Sequence, residues 1–187
     1  MTVHEHKTRN VNVEGKHLKY AALVLGTMLL SGLIFSRNAS IISILLVTHA
    51  ATSFALRGIK KLRIGIEMNL LITVLGAFVY GAKVGALLGV AAMLIDYVFS
   101  LRLSYFAIVT TAAYALIGFF AGFSTGISIT TVGIAAAIAY NISTSFIIVM
   151  FMGGHIDKCV RFGLTNIALN AVLFSTIAPT LLKLMGG

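Results

Sequence analysis

The 187-residue chain has no tryptophan, one cysteine (Cys159), one proline (Pro179) and five acidic residues. Each shortage excludes something. A lone cysteine forms no internal disulfide and supplies no cysteine cluster for zinc. The repeated D-x-x-D patterns expected of membrane phosphotransferases are missing, and no glycine-rich phosphate loop stands in for them. Enzymatic chemistry is therefore not expected, and neither a cofactor nor a bound metal is implied. Charged residues make up only 10% of the chain, against about a quarter in soluble domains.

What is abundant is apolar. Hydrophobic residues reach 59% and mean hydropathy is +1.02, far too oily for a soluble core. They fall in runs suited to spanning helices of about 20 residues. The expected fold class is all-α: a polytopic integral membrane helix bundle of six or seven transmembrane helices, in the cell membrane with the lipid bilayer around it. Residues 1–17 read as a polar cytoplasmic tail and 18–187 as a single transmembrane domain. The first apolar run is too long for the core of a cleavable signal and no small-residue cleavage site ends it. The spans are expected near 18–35, 39–56, 64–82, 83–101, 104–123, 128–152 and 163–185, with Pro179 kinking the last.

A net charge of +9 would suggest nucleic acid in a soluble protein, but here the basic residues flank apolar runs and act as orientation signals. No nucleic-acid partner is expected. The densest group is Arg57, Lys60, Lys61 and Arg63. Seven spans with a cytoplasmic N-terminus place 11 Lys and Arg inside and 3 outside. Six spans, with 39–56 as an external lid or re-entrant piece, place 6 inside and 8 outside, so the charge bias favours seven.

Two kinds of residue interrupt the apolar runs. Small residues recur at helical spacing: Ala22 with Gly26, then Gly81, Gly85 and Gly89, which offer faces for close helix packing or for a partner helix. Polar residues sit deep within the runs. Gly85, Gly89, Ala92 and Asp96 share one stripe, so Asp96 points into a tight seam and needs a partner, with Arg102, Lys83 and His49 as candidates. Asn69, Thr73, Gly76 and Tyr80 form a second stripe. With His49, Tyr97, Tyr114, Asn141, Asn166 and Asn170, the residues Asp96, Asn69 and Tyr80 make up the candidate ligand-binding set for a compact solute. Any one of them would serve equally as interhelical glue. The segment GGHIDKCVRFG, 153–163, reads as a solvated loop in which His155, Asp157, Cys159 and Arg161 alternate.

The runs VLGAFVYGAKVGALLGVAAMLIDYVF and YALIGFFAGF, with LTNIALNAVLFSTIAPTLLKLM later, resemble the substrate-binding S components of energy-coupling factor transporters over roughly residues 64–185. The likeness lies in glycine spacing, hydropathy and the late Asn166 and Asn170. It implies capture of a small solute, a vitamin-like micronutrient, and docking to a transmembrane coupling subunit driven by ATPases. That family has six helices and displays its site outwards, whereas seven spans turn Asp96 and Tyr97 towards the cytoplasm. A non-transporting membrane scaffold or assembly subunit is the rival class. In a Cys159→Ser background, cysteines placed at Lys60 and Arg102 are expected to be protected from an impermeant maleimide in intact cells; labelling of both would establish the six-span orientation.

Overall fold

The computed structural model describes residues 26, 36–56, 65, 68–101, 106–124 and 126–186. The tail, the first expected span apart from Gly26, Ala22, the basic segment 57–63, Glu67 and Arg102 lie outside the described residues. The described residues are helical and contain no strand. In chain order the helices are α1 (Arg37–Ala55), α2 (Asn69–Tyr80), α3 (Ala82–Ser100), α4 (Ala107–Ala121), α5 (Ile129–Phe151), α6 (Ile156–Val172) and α7 (Ala178–Leu184), the last two joined by a π-helical turn, Leu173–Ile177.

Among the described residues, four rods are long and apolar enough to cross a membrane: α1, α3, α5 and the continuous stretch Ile156–Leu184. The 12 residues of α2 and 15 of α4 fall short of the usual spanning length. Large apolar side chains also face outwards, among them Leu87, Ile108, Ile142, Phe151 and Leu164.

The chain divides between Val47 and Thr48 into two compact units, and the boundary falls within α1. In the first unit, Ser36 starts α1. Its Oγ accepts the Ala39 amide at 3.1 Å, satisfying a donor that the helix cannot bond internally.

The second unit is built around α2. All nine residues from Asn69 to Ala77 are buried, and the helix packs against α3, α4, α5 and α7. A helix apolar all round can be accommodated only in this way. One residue, Gly81, connects α2 to α3. Its φ of 85° and ψ of 176° belong to a region open essentially to glycine alone, and its amide still bonds Ala77 O at 2.9 Å.

The resulting hairpin is nearly symmetric about Gly81. A Cβ on Gly85 would lie 2.5 Å from Ala77 Cβ, and one on Gly89 would lie 3.1 Å from Thr73 Cγ2. One turn further, Asn69 Nδ2 meets Met93 Sδ at 3.0 Å. The other flank of the same two glycines receives α4. A Cβ on Gly85 would collide with Gly118 O at 2.7 Å and one on Gly89 with Tyr114 O at 2.6 Å, while one on Gly122 would run into the Ala82 backbone. The stripe of small residues is therefore filled from within this unit, by α2 on one side and α4 on the other.

One element differs from the sequence expectation. The last rod begins at Ile156, so most of 153–163 is helix; the break is made by Gly153 at φ 66°, and Asp157 in the first turn suits the helix dipole. On a helix, residues two apart diverge, so Cys159 does not share a face with Asp157 and Arg161. Near Pro179 the rod continues through the π turn, whose last amide, Ala178 N–H, bonds Leu173 O. In that register Phe174 O would require a proline N–H, which does not exist. Thr130 Oγ from α5 donates to it at 2.7 Å, and the Phe174 ring lies against the bare face of Gly133.

Nothing lies within 4 Å of a Cβ built on Gly81, so alanine there meets conformational strain without a clash. Gly81→Ala is expected to destabilise the protein by roughly 1–3 kcal/mol. Denaturant unfolding in detergent measures this, and an unchanged midpoint would contradict the need for glycine at this turn.

Candidate functional site

Most of the described polar residues singled out in the sequence take part in three groups of hydrogen bonds. The first joins the C-terminal half of α1 to α3. Ser53 Oγ donates to Asp96 Oδ1 at 2.5 Å, and one turn earlier on both helices His49 Nε2 lies 3.2 Å from Ala92 O. A carbonyl only accepts, so Nε2 carries the proton in that bond. All three polar side chains are buried. A hydroxyl at this distance is typical of a charge-assisted bond to carboxylate. Of the partners expected for Asp96, Lys83 lies exposed 13 residues back along α3, roughly 20 Å away at helical rise. Ser53 is a partner that the expectation did not name. The sequence offered a signal, since Ser53 follows His49 by one turn and shares its face.

A second group binds α3 to its other neighbours. Asn69 reaches Met93, Thr73 Oγ donates back to Asn69 O at 2.7 Å, and Tyr97 OH pairs with Thr110 Oγ of α4. Tyr80 departs from its stripe. It is 40% exposed at the end of α2, beyond the part of the helix enclosed by α3 and α4. Gly26 has nothing within 4 Å of a built Cβ.

The third cluster lies between α5 and α6. Asn166 Oδ1 accepts from both Asn141 Nδ2 at 2.9 Å and Asn170 Nδ2 at 3.2 Å. The same two amides also donate to the main chain, Asn141 to Ala137 O at 2.7 Å and Asn170 to Asn166 O at 2.9 Å. Gly65 is held alongside. Its amide bonds Thr165 Oγ at 2.9 Å and its carbonyl receives Asn166 Nδ2 at 3.4 Å.

A space in the second unit is large enough for a small molecule. It lies between α4 and α5, holds about 520 Å³, and is lined by Ala113, Leu116, Phe120, Ala135, Ala136 and Ala139, with Tyr140, Ser124, Thr131 and Ser143 supplying hydroxyls. Tyr140 is backed by Tyr114, whose ring centroid is 4.7 Å away at an interplanar angle of 47°. Of the candidate ligand-binding residues, none lines this space directly and Tyr114 stands behind it. It is made by alanines, which read in sequence as plain apolar filler. Among the described residues, no group of three or more His, Cys, Asp or Glu is gathered that could hold a metal ion.

The Ser53–Asp96 bond is open to a double-mutant cycle. Ser53→Ala and Asp96→Asn are expected to show a coupling of about 1–3 kcal/mol in detergent unfolding; additive effects would mean that the carboxylate is stabilised elsewhere. Comparison with protein-family models, with curated proteins and with solved structures finds no match to this chain.

Proposed function

We propose that this chain is a polytopic protein of the cell membrane that binds a small solute and helps to transport it, in the manner of an S component. The observation that carries the reading is the space between α4 and α5. Its volume of about 520 Å³ falls within the range of small-molecule sites. An alanine-rich wall with a few hydroxyls suits a solute with an apolar body and one or two polar groups. The four long apolar helices and the outward-facing Leu87, Ile108 and Phe151 support a bilayer setting. Six or seven spans follow from the apolar runs, and a coupling subunit with associated ATPases from the resemblance in glycine spacing and hydropathy.

The scaffold reading has its own observation. The deep polar residues Ser53, Asp96, Tyr97, Thr110, Asn141, Asn166 and Asn170 all bond between or along helices, as glue would. A scaffold needs no internal solute.

Purified protein analysed by native mass spectrometry separates the two. A co-purifying small molecule is expected in the wild type and at least about tenfold less of it in Ala136→Phe, since a phenyl ring projecting into the space costs several contacts of the solute. The melting temperature of Ala136→Phe should stay close to wild type. Wild-type protein that is empty but bound to another membrane protein would support the scaffold instead.

A further inference from the structure

The cluster of Asn141, Asn166 and Asn170 contains an imbalance of donors and acceptors. The orientation of two amides is fixed by their surroundings: turning Asn141 over would set its oxygen against Ala137 O, and turning Asn170 over would set its oxygen against Asn166 O. Each therefore spends its NH2 on a main-chain carbonyl and on Asn166 Oδ1, which is saturated by the two. Asn141 Oδ1 and Asn170 Oδ1 are left buried with no hydrogen-bond partner, on side chains that are 4% and 0% exposed. Each amide oxygen accepts up to two hydrogen bonds, so the pair presents a surplus of acceptors in a place that water outside does not reach.

There is also room beside one of them. A Cβ built on Gly163 of α6 would sit 3.6 Å from Asn141 Oδ1, at ordinary contact and without collision. The glycine thus leaves a methyl-sized gap against the unpaired oxygen. This face of α5 is about half a turn from the residues that line the α4–α5 space, because Asn141 lies five residues from Ala136 and 500° of helical rotation equals 140°. The site is separate from the one proposed above.

We propose that Asn141 Oδ1 accepts a hydrogen bond from a compact neutral donor held between α5 and α6 in the space left by Gly163. A neutral donor fits better than a cation. The three side chains carry no charge, and an unneutralised ion in an apolar interior is costly. Such a donor comes from one of two sources, a trapped water molecule or the N–H or O–H of a bound solute.

Gly163→Ala tests the proposal by sign. Alanine in a helix interior ordinarily stabilises, by roughly 2–4 °C for a chain of this size. If the gap holds a donor, Gly163→Ala expels it and lowers the melting temperature. In an Asn141→Ala background, where the oxygen is already gone, the same change should raise it. A rise in the wild-type background overturns the proposal, and so does a fall of equal size in both backgrounds, which would mark simple overpacking. Titration of the wild type with acetamide then identifies the source. A saturable rise that is lost in Asn141→Ala assigns the donor to a solute, and no rise assigns it to water; each supports the site.

Discussion

The close approach of three backbones at Gly85 and Gly89 is the constraint on which the second unit depends. In the bilayer setting proposed above, lipid tails are as apolar as leucine, so moving a leucine from outside to inside would gain little. Association must then come from contact distance. At Gly85 the helix α3 touches Ala77 of α2 and the Gly118 carbonyl of α4, both nearer than a side chain would permit. That proximity sets the spacing at which Asn69 reaches Met93, Tyr97 reaches Thr110 and Tyr114 lies under Tyr140. The polar contacts depend on the glycines, because each is a short-range bond that a wider crossing would lose.

Much of the architecture was legible in the chain because hydropathy marks helix extent directly. The expected runs near 39–56, 83–101, 104–123 and 128–152 correspond to α1, α3, α4 and α5 to within a few residues. The glycine stripe was legible for a related reason: spacing four places residues on one face whatever lies opposite. What lies opposite was not legible. Ser53 shares the face of His49, but its pairing with Asp96 shows only once α3 is seen beside it, and Lys83 looked the better partner for a carboxylate on charge alone. The start of the last rod at Ile156 was obscured by charged residues that resemble a loop but stand on exposed helical turns. The α4–α5 space was hidden for the opposite reason, since a cavity consists of what side chains leave unfilled.

The arrangement of polar residues qualifies the idea of a single binding chamber. His49, Ser53 and Asp96 tie α1 to α3, whereas Asn141, Asn166 and Asn170 tie α5 to α6 and to Gly65. Their hydrogen bonds fix which helices neighbour one another, a choice that apolar packing alone leaves nearly degenerate. A solute site placed among alanines, as proposed, would leave those bonds intact. Specificity would then come from the shape of the alanine wall and from hydroxyls such as Ser143, rather than from the deep carboxylate.

The π turn at Leu173–Ile177 amounts to one residue more than an α-helix would need over the same stretch. Every residue after it is consequently advanced by about 100° around the rod axis. The phase of α7 relative to α6 is thus set by chain length, with the Thr130 hydroxyl and the Gly133 surface acting as the gauge that accepts only this phase. A lineage that lost a single residue here would keep its hydropathy profile unchanged while turning Ala178 and Met185 away from the core, so insertions and deletions at this turn would be filtered more stringently than substitutions.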